Sequence, residues 1–277
     1  MEERAVCVSC PHRCILSENK EGACRARVCT DGVVRGDSYG AVTSISLDPI
    51  EKKPLKRFYP GSCILSVGSY GCNMHCPFCQ NAEISQVSKK EAEYVRMTPK
   101  QLSEKAEQLV SCGNIGLAYT YNEPLIGWEF VRDTAKLIQE EKLHNVCVSN
   151  GMAADAVLDE VLPLIDAWNI DLKTIRPEKY RDWGGDLYTV QNTVRRAAAG
   201  SHVELTTLII PGENDSPEEM EEISAWIAGI DPEIPLHITR FFPRWHMTDR
   251  EPTPVQKIKE LTEIASQRLK WVYRGNC

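Results

Sequence analysis

Three closely spaced cysteines constrain this chain more than any other feature of its sequence. Cys72, Cys76 and Cys79 lie within the stretch Gly71–Cys79, which three residues separate from the apolar residues 63–67. Thiolates bind soft metals and iron–sulfur clusters, and a tight loop can turn three sulfur atoms towards one small cluster. Such a loop leaves a fourth ligand position open, and an open position is where metal chemistry takes place. Three buried structural cysteines or a zinc knuckle are the alternatives, although structural zinc normally takes four ligands.

A second group of cysteines occupies the first thirty residues. A glycine turn at Gly22 separates the last of its four candidate ligands from the others. Four thiolates can close a structural site, and both zinc and an auxiliary iron–sulfur cluster that carries electrons fit the spacing. The candidate ligands are Cys7, Cys10, Cys14 and Cys24. The cysteines at 29, 63, 112 and 147 are expected to be ordinary side chains, and Cys277 is expected to be a free thiol.

Composition narrows the classes of function. The chain has 277 residues, enough for one large domain with a small appendage. Its net charge of −7 does not favour binding to nucleic acid or to an anionic membrane, because both are negatively charged. No run of about 18 apolar residues occurs, so no membrane span is expected, and Met1–Arg4 does not begin a signal peptide. Twelve cysteines without an export signal indicate metal binding in the cytoplasm, and an oxygen-sensitive cluster favours anaerobic conditions.

Strand and helix patterns alternate from residue 61 to the end of the chain. The preceding connector has a hairpin signal at Asp31-Gly32. Between Pro49 and Pro54 it carries a charged segment that predicts an extended loop. Helix starts at Thr98-Pro99 and Ser216-Pro217 have a Gln or Glu three residues after the cap. Six or so βα units predict a parallel barrel or partial barrel, with an open doubly wound sheet as the alternative.

Polar side chains follow the predicted strands at their carboxyl ends, where parallel βα architectures place active sites. They occur at residues 120–124, 149–151, 171–173 and 211–215, and His237 lies in the sixth strand. Carboxylates and amides can bind an ammonium group, whereas cations can bind a carboxylate. This set of side chains therefore suits a zwitterionic, nucleoside-bearing cofactor above the cysteine loop.

The spacing of the three cysteines, with Phe78 just before the last, resembles the radical S-adenosylmethionine (SAM) superfamily. Within it, four stretches resemble the radical SAM member of the AmmeMemoRadiSam system, which is similar to pyruvate formate-lyase activating enzyme. They are Cys72–Asn81, Asp48–Pro54, Thr120–Pro124 and Ile210–Asp215. The resemblance covers nearly the whole chain. It implies an α/β fold, a partial (βα)6 barrel over residues 61–277, with a small N-terminal cysteine-rich metal-binding region and β connector over residues 1–60.

The same resemblance implies a chemistry. Cys72, Cys76 and Cys79 would hold a [4Fe–4S] cluster, and the amino and carboxylate groups of SAM would chelate its fourth iron. Reductive cleavage of SAM would give a 5′-deoxyadenosyl radical that abstracts hydrogen from an unidentified small-molecule, peptide or protein substrate. A donor such as flavodoxin or ferredoxin would supply the electron. A glycyl-radical-enzyme activase acting on a partner protein is the alternative function, and a non-catalytic iron–sulfur scaffold is the remote one.

Individual SAM contacts are also implied by the resemblance. The residues, with the part of SAM that each would meet, are Phe78 (adenine, through its backbone), Asn122 and Glu123 (amino group), Ser149 and Asn150 (ribose or methionine), Asp171 and Lys173 (carboxylate) and His237 (ribose or substrate). Structural alternatives stay open for several of them. Glu123 could cap the following helix. Asp171 and Lys173 could pair with each other, and His237 could be a hydrogen-bonded core residue.

Overall fold

One eight-stranded sheet organises the part of the chain that the computed structural model describes, residues 4–277. The strands are β1 (Arg4–Val6), β2 (Ile15–Ser17), β3 (Arg27–Thr30), β4 (Val33–Gly36), β5 (Ala41–Val42), β6 (Ser44–Pro49), β7 (Cys63–Gly68), β8 (Val95–Arg96), β9 (Asn114–Tyr119), β10 (His144–Ser149), β11 (Ala167–Asp171), β12 (His202–Ile209), β13 (Leu236–Arg240) and β14 (Val272–Gly275). The sheet has the order β14-β13-β12-β11-β10-β9-β7-β6. Its neighbours are parallel except β6 and β7. The first three residues, on which the signal-peptide expectation partly rests, lie outside the described residues.

Helices connect the parallel strands, and several begin where the sequence predicts. They are α1 (Ala82–Ser85), α2 (Pro99–Gln108), α3 (Trp128–Glu140), α4 (Asp155–Val161), α5 (Pro177–Asp182), α6 (Leu187–Ala198), α7 (Pro217–Ala228) and α8 (Val255–Ala265). The Thr98 hydroxyl accepts from the Gln101 N–H at 3.2 Å, and the Gln101 side chain accepts from the Thr98 N–H at 2.8 Å. This reciprocal pair is a capping box and fixes the start of α2. No helix in residues 4–277 is long and apolar enough to cross a membrane.

The two faces of the sheet are covered differently. Leu65 and Leu205 face the helices and join one large core cluster with helical residues such as Val190. Ile64, one position away in β7, belongs to a separate cluster on the opposite face. Within residues 4–277 that second cluster contains no α-helical residue, whereas a doubly wound sheet carries helices on both faces. The fold is therefore α/β with a mostly parallel sheet, in the barrel-like arrangement that the sequence predicts.

The face without helices is filled at the amino ends of the strands by residues 50–58, here called the plug segment. Ile50 and Leu55 of the plug segment are fully buried against the first residues of β7 and β11. Its backbone also reaches across the sheet, because the N–H groups of Lys56 and Arg57 donate to the Glu204 carboxylate at 3.0 and 2.7 Å. The segment predicted as an extended loop is thus part of the core. It follows β6 directly, and a short 3₁₀ turn, Ile50–Lys52, departs from the extended course that the sequence predicts.

The N-terminal region packs against the barrel through two small hairpins. The Asp31-Gly32 turn joins β3 to β4, as predicted. Arg27 anchors this region to the start of α3. Its guanidinium donates to both Glu129 carboxylate oxygens at 2.9 and 2.7 Å and to the Ile126 carbonyl at 2.9 Å. The division at residue 60 stays a prediction, and the main sheet includes β6 from the N-terminal side of that boundary.

Candidate active site

The three-cysteine loop leaves the carboxyl end of β7, and its start is held by one amide side chain. Asn122 donates to the carbonyls of Tyr70 and Gly71 at 3.2 and 3.0 Å and accepts from the Ser69 N–H at 3.0 Å. Gly71 has a φ of 85°, and a Cβ there would lie 2.4 Å from the Cys24 carbonyl oxygen. Only glycine fits this turn. The family resemblance predicts that Asn122 meets the SAM amino group. In the structure its polar atoms form hydrogen bonds with the loop backbone instead.

Two of the three loop thiols have hydrogen-bonding neighbours. The Cys72 sulfur accepts from the Asn150 amide at 3.5 Å and from the Met74 N–H at 3.4 Å. The Cys79 sulfur lies 3.1 Å from the Ser85 hydroxyl at the end of α1. Donors aimed at sulfur stabilise the thiolate form that binds metal, and they tune bound clusters. This surrounding of the thiols fits a cluster-binding loop.

The third thiol, that of Cys76, lies near a buried cation. Burial raises its pKa to about 11, and the positive charge of Lys173 opposes this rise. Burial also opposes the charged form of Lys173, but Asp171 and Cys76 outweigh it and raise the pKa of the ammonium. The Lys173 ammonium lies 2.8 Å from Asp171 and 6.0 Å from the Phe78 ring centroid. The predicted pair 171/173 is thus adjacent to the cysteine loop, and its two members bind each other.

Glu123 is the buried carboxylate of the site, with 2% of its surface exposed. One oxygen accepts from the Leu125 N–H at 3.0 Å and the Ser149 hydroxyl at 2.8 Å, and the other accepts from the Asn150 N–H at 2.7 Å. Burial raises the pKa of Glu123 to about 7 against these hydrogen bonds, and the Asp171 charge adds to the rise. Glu123 does cap the following 3₁₀ turn through Leu125, as its structural alternative predicts.

Asn150 links this carboxylate to the cysteine loop. Its amide donates to the Asn73 side-chain oxygen at 2.9 Å, and its own oxygen accepts from the Met152 N–H at 2.8 Å. Asn73 in turn donates to the Met152 carbonyl at 2.7 Å. The structure therefore brings Ser149 and Asn150 together with Glu123 and Cys72, and it engages their polar atoms with protein groups.

His237 lies towards the other end of the sheet. Its ring nitrogen is 2.6 Å from the Glu204 carboxylate, which also lies 3.0 Å from His202 and accepts the two plug-segment N–H groups. Burial alone would raise the pKa of Glu204, but the hydrogen bonds from His202 and His237 outweigh it and lower that pKa to about 2. His237 is 4% exposed, so the structure gives it the hydrogen-bonded core position of its structural alternative. Its role towards SAM stays a prediction.

The four N-terminal candidate ligands lie close together. The Cys7 N–H donates to the Cys14 carbonyl at 2.8 Å, and the Cys14 sulfur accepts from the Ala23 N–H at 3.5 Å. Burial raises the pKa of Cys24 to about 11, and Cys10 and Cys7 add to the rise. In residues 4–277, no three His, Cys, Asp or Glu side chains converge as ligands of a single ion. Each cysteine of a [4Fe–4S] cluster binds a separate iron, so that convergence is not required there. The zinc or auxiliary cluster stays a prediction.

Two residues that support the loop are absent from the sequence-based prediction. Asn73 is 1% exposed and bonds to Asn150, and Ser85 is 2% exposed and contacts Cys79. The role of Asn73 could be predicted from the sequence, because a polar residue between two candidate ligands commonly positions them. The role of Ser85 could not, since its contact depends on how α1 folds back on the loop.

A buried ion pair joins the segment Asp48–Pro54 to the segment Thr120–Pro124. Lys53 is 3% exposed, and its ammonium lies 2.9 Å from Asp48, which also accepts from the Tyr121 hydroxyl at 2.7 Å. Burial opposes ionisation of Asp48, but these two donors outweigh it and lower its pKa to about 2. Tyr121 adopts a φ of 72°, which is uncommon for a residue other than glycine. Through its hydrogen bond to Asp48, the ion pair fixes Tyr121, which lies two positions before Glu123.

Comparison with known sequences identifies relatives over the whole chain. The sequence model of the Radical SAM superfamily matches residues 66–227. An uncharacterized protein of Methanocaldococcus jannaschii is 37% identical over 99% of this chain and 82% of its own length. The pyruvate formate-lyase 1-activating enzyme of Escherichia coli K12 is 24% identical over 55% of this chain, and the match spans 63% of that enzyme.

Solved structures share the fold at low identity. Streptococcus suis SuiB bound to S-adenosylmethionine has a TM-score of 0.59 and 12% identity, covering 75% of this chain and 48% of SuiB. QueE from Escherichia coli has a TM-score of 0.54 and 10% identity, covering 84% of this chain and 92% of QueE. Together with the family match over more than half of the sequence, these comparisons lead to one conclusion. The chain belongs to the radical SAM superfamily, and this membership supports radical SAM activity with a [4Fe–4S] cluster and SAM as cofactors.

Proposed function

We propose that the chain is a [4Fe–4S]-dependent radical SAM enzyme whose cluster is held by Cys72, Cys76 and Cys79. The observation that carries the proposal is three thiols on one loop, beside a buried carboxylate at the carboxyl ends of parallel strands. When bound, the cluster and SAM supply an electron and a 5′-deoxyadenosyl radical, which abstracts hydrogen from the substrate. The donor groups around the thiols fit such a cluster, because amide, hydroxyl and ammonium groups favour thiolate sulfur.

The chain's own residues then bind and orient SAM. Glu123 would accept from the SAM amino group, and Lys173, the largely buried cation of the site, would meet the SAM carboxylate. Asp171 holds the Lys173 ammonium in place. Asn122, Ser149 and Asn150 act mainly as positioning residues, since their side chains already hold the loop and Glu123. Phe78 packs edge-on against Trp183, with ring centroids 5.0 Å apart, and its backbone would contact the adenine of bound SAM.

The substrate is a small molecule, peptide or protein, and an electron donor such as flavodoxin or ferredoxin reduces the enzyme in an anaerobic cytoplasm. A glycyl-radical activase is the second candidate, favoured by similarity to pyruvate formate-lyase 1-activating enzyme over 55% of this chain. An activase generates a glycyl radical on its partner, which electron paramagnetic resonance detects. Absence of the glycyl-radical signal from every plausible partner would count against the activase function.

Single alanine variants of the cluster cysteines test the main proposal. Cys72→Ala, Cys76→Ala and Cys79→Ala should each abolish 5′-deoxyadenosine formation in anaerobically reconstituted protein. Cys112→Ala is the matched control, because Cys112 is an exposed cysteine outside the loop. Cleavage of SAM at the control's rate by any of the three loop variants would refute the assignment.

We also propose that Cys7, Cys10, Cys14 and Cys24 bind zinc or an auxiliary iron–sulfur cluster. Metal analysis separates the two: about four iron atoms with one zinc per chain, or about eight iron atoms without zinc. Cys10→Ser should remove only the N-terminal metal. Equal metal content in Cys10→Ser and the wild type would contradict this site.

A further inference from the structure

The cysteine loop has one side towards the strand ends and another side towards solvent. The outward side is formed by His75 and by the turn that contains His12 and Arg13, all exposed. The His12 and His75 rings are stacked, with centroids 6.5 Å apart and planes 13° apart. The His12 ring nitrogen lies 2.7 Å from the carbonyl of Asn73, the residue that directly follows Cys72. This exposed surface is therefore within one residue of a proposed cluster ligand.

Two arginines give this surface its charge. The Arg13 N–H donates to the Cys10 carbonyl at 3.2 Å, which places Arg13 at the end of the His12 turn. Arg25 donates to the Gln86 side chain at 3.1 Å, and Gln86 donates to the Met74 carbonyl at 3.0 Å. Arg25 is thus tied to the cysteine loop through a single intervening residue.

The four residues His12, Arg13, Arg25 and His75 are here called the histidine–arginine face, in which Arg13 directly follows His12 in the same exposed turn. The stacked rings join His12 to His75, and the hydrogen bonds from Arg25 through Gln86 end at Met74, the residue directly before His75. Arg25 also has an acidic neighbour, Glu91, whose carboxylate accepts from the Ser88 N–H and hydroxyl at 2.9 Å each.

The local charge contrasts with that of the whole molecule. The chain has a net charge of −7, yet neither Arg13 nor Arg25 forms an ion pair within residues 4–277. An acidic protein would generally be repelled by this molecule, but it would be attracted to these two guanidinium groups. Complementary charges of this kind orient partners and accelerate their encounter.

We propose that the histidine–arginine face docks an acidic one-electron carrier protein, which delivers its electron to the cluster through the outward side of the cysteine loop. The inference rests on the proposed function. The reduced carrier loses one electron and the enzyme gains one, and no covalent bond forms or breaks in this step. The carboxyl ends of the strands stay free for SAM and the substrate.

Charge reversal with two electron sources tests the docking surface. The double variant Arg13→Glu with Arg25→Glu is prepared in the full chain with its cluster. Its rate of 5′-deoxyadenosine formation is measured with a limiting amount of an acidic reduced flavodoxin and, separately, with excess dithionite. The variant should lose at least about tenfold of the flavodoxin-supported rate at low salt, and keep its dithionite-supported rate within about twofold. Lys259→Glu with Arg268→Glu is the matched control, since both are exposed and the change in net charge is identical.

The alternative outcomes are distinct. Equal losses with both electron sources would give this face a structural role and overturn the proposal, as would a flavodoxin-supported rate equal to that of the control pair. The affinity for oxidised flavodoxin, measured by calorimetry, provides a readout independent of SAM cleavage. It should weaken about tenfold in the variant and lose its dependence on salt. Absence of 5′-deoxyadenosine from the wild type with dithionite would instead reject the proposed function, and the flavodoxin affinity would then decide the docking surface.

Discussion

Two buried glutamates at opposite ends of the sheet have opposite electrostatic environments. Glu123, at the carboxyl end, accepts hydrogen bonds only from neutral groups, and burial raises its pKa to about 7. Glu204, towards the amino end, accepts from two backbone N–H groups and pairs with two histidines, which lower its pKa to about 2.

The different environments of the two glutamates distinguish a ligand-binding region from a structural one. The charge on Glu204 is compensated by its own neighbours, so that end of the sheet is complete without a ligand. The charge on Glu123 is not compensated, and an N–H donor on a bound cofactor would remove part of its burial cost. Carboxylates with raised pKa values cluster at functional sites for this reason. We therefore assign chemistry to the carboxyl end and stability to the amino end.

Among substitutions that distinguish the two ends of the sheet, Glu123→Gln is expected to have the largest effect on activity. Loss of the charged acceptor should reduce the rate of 5′-deoxyadenosine formation by about 10- to 100-fold, while the iron content stays unchanged. Glu107→Gln, on the exposed side of α2, is the control. A Glu123→Gln enzyme as active as this control would remove Glu123 from the proposed cofactor site.

Glu204→Gln should have its effect on stability instead. At 1.36 kcal/mol per pKa unit, the shift from the usual 4.5 to about 2 corresponds to about 3 kcal/mol of unfolding free energy near neutral pH. Urea titration of the cofactor-free protein measures this loss. The folded variant should still cleave SAM at nearly the wild-type rate. A large loss of activity without a loss of stability would reverse the proposed roles of the two ends.

The two variants should also differ in the sign of their pH dependence. The pKa of Glu204 is lowered, so its stabilisation is present above about pH 4.5 and is lost as the pH falls towards 2. The pKa of Glu123 is raised, so the wild type loses stability from this group as the pH rises from about 4.5 to 7. Relative to the wild type, Glu123→Gln should gain stability over that range. Unfolding free energies of both variants and of the wild type from pH 2 to 8 check the signs, and parallel curves would contradict them.

His237→Leu, which removes the donor, is expected to have the smallest effect. Loss of the hydrogen bond to the Glu204 carboxylate should cost about 2 kcal/mol of stability. The affinity for SAM, measured by equilibrium binding, should stay within about twofold of the wild type. A tenfold weaker affinity would instead support the cofactor contact that the family resemblance implies.

Local features explain what could be predicted from sequence. The cysteine loop, the Thr98 cap and the alternation of strands and helices depend on residues close together in the chain. The burial of the plug segment does not, because Lys56 and Arg57 meet Glu204 almost 150 residues later. For the same reason Asn122 and Asn150 could be placed at strand ends, but their hydrogen bonds to the loop could not be predicted.

The most direct test is SAM cleavage by the wild-type protein, purified and reconstituted anaerobically and reduced with dithionite. We predict at least about four iron atoms per chain, with methionine and 5′-deoxyadenosine formed in equal amounts. We also predict that neither product forms in Cys76→Ala. A protein that binds this iron but forms no 5′-deoxyadenosine, even with candidate substrates, would contradict the proposed radical SAM activity and favour a non-catalytic iron–sulfur scaffold.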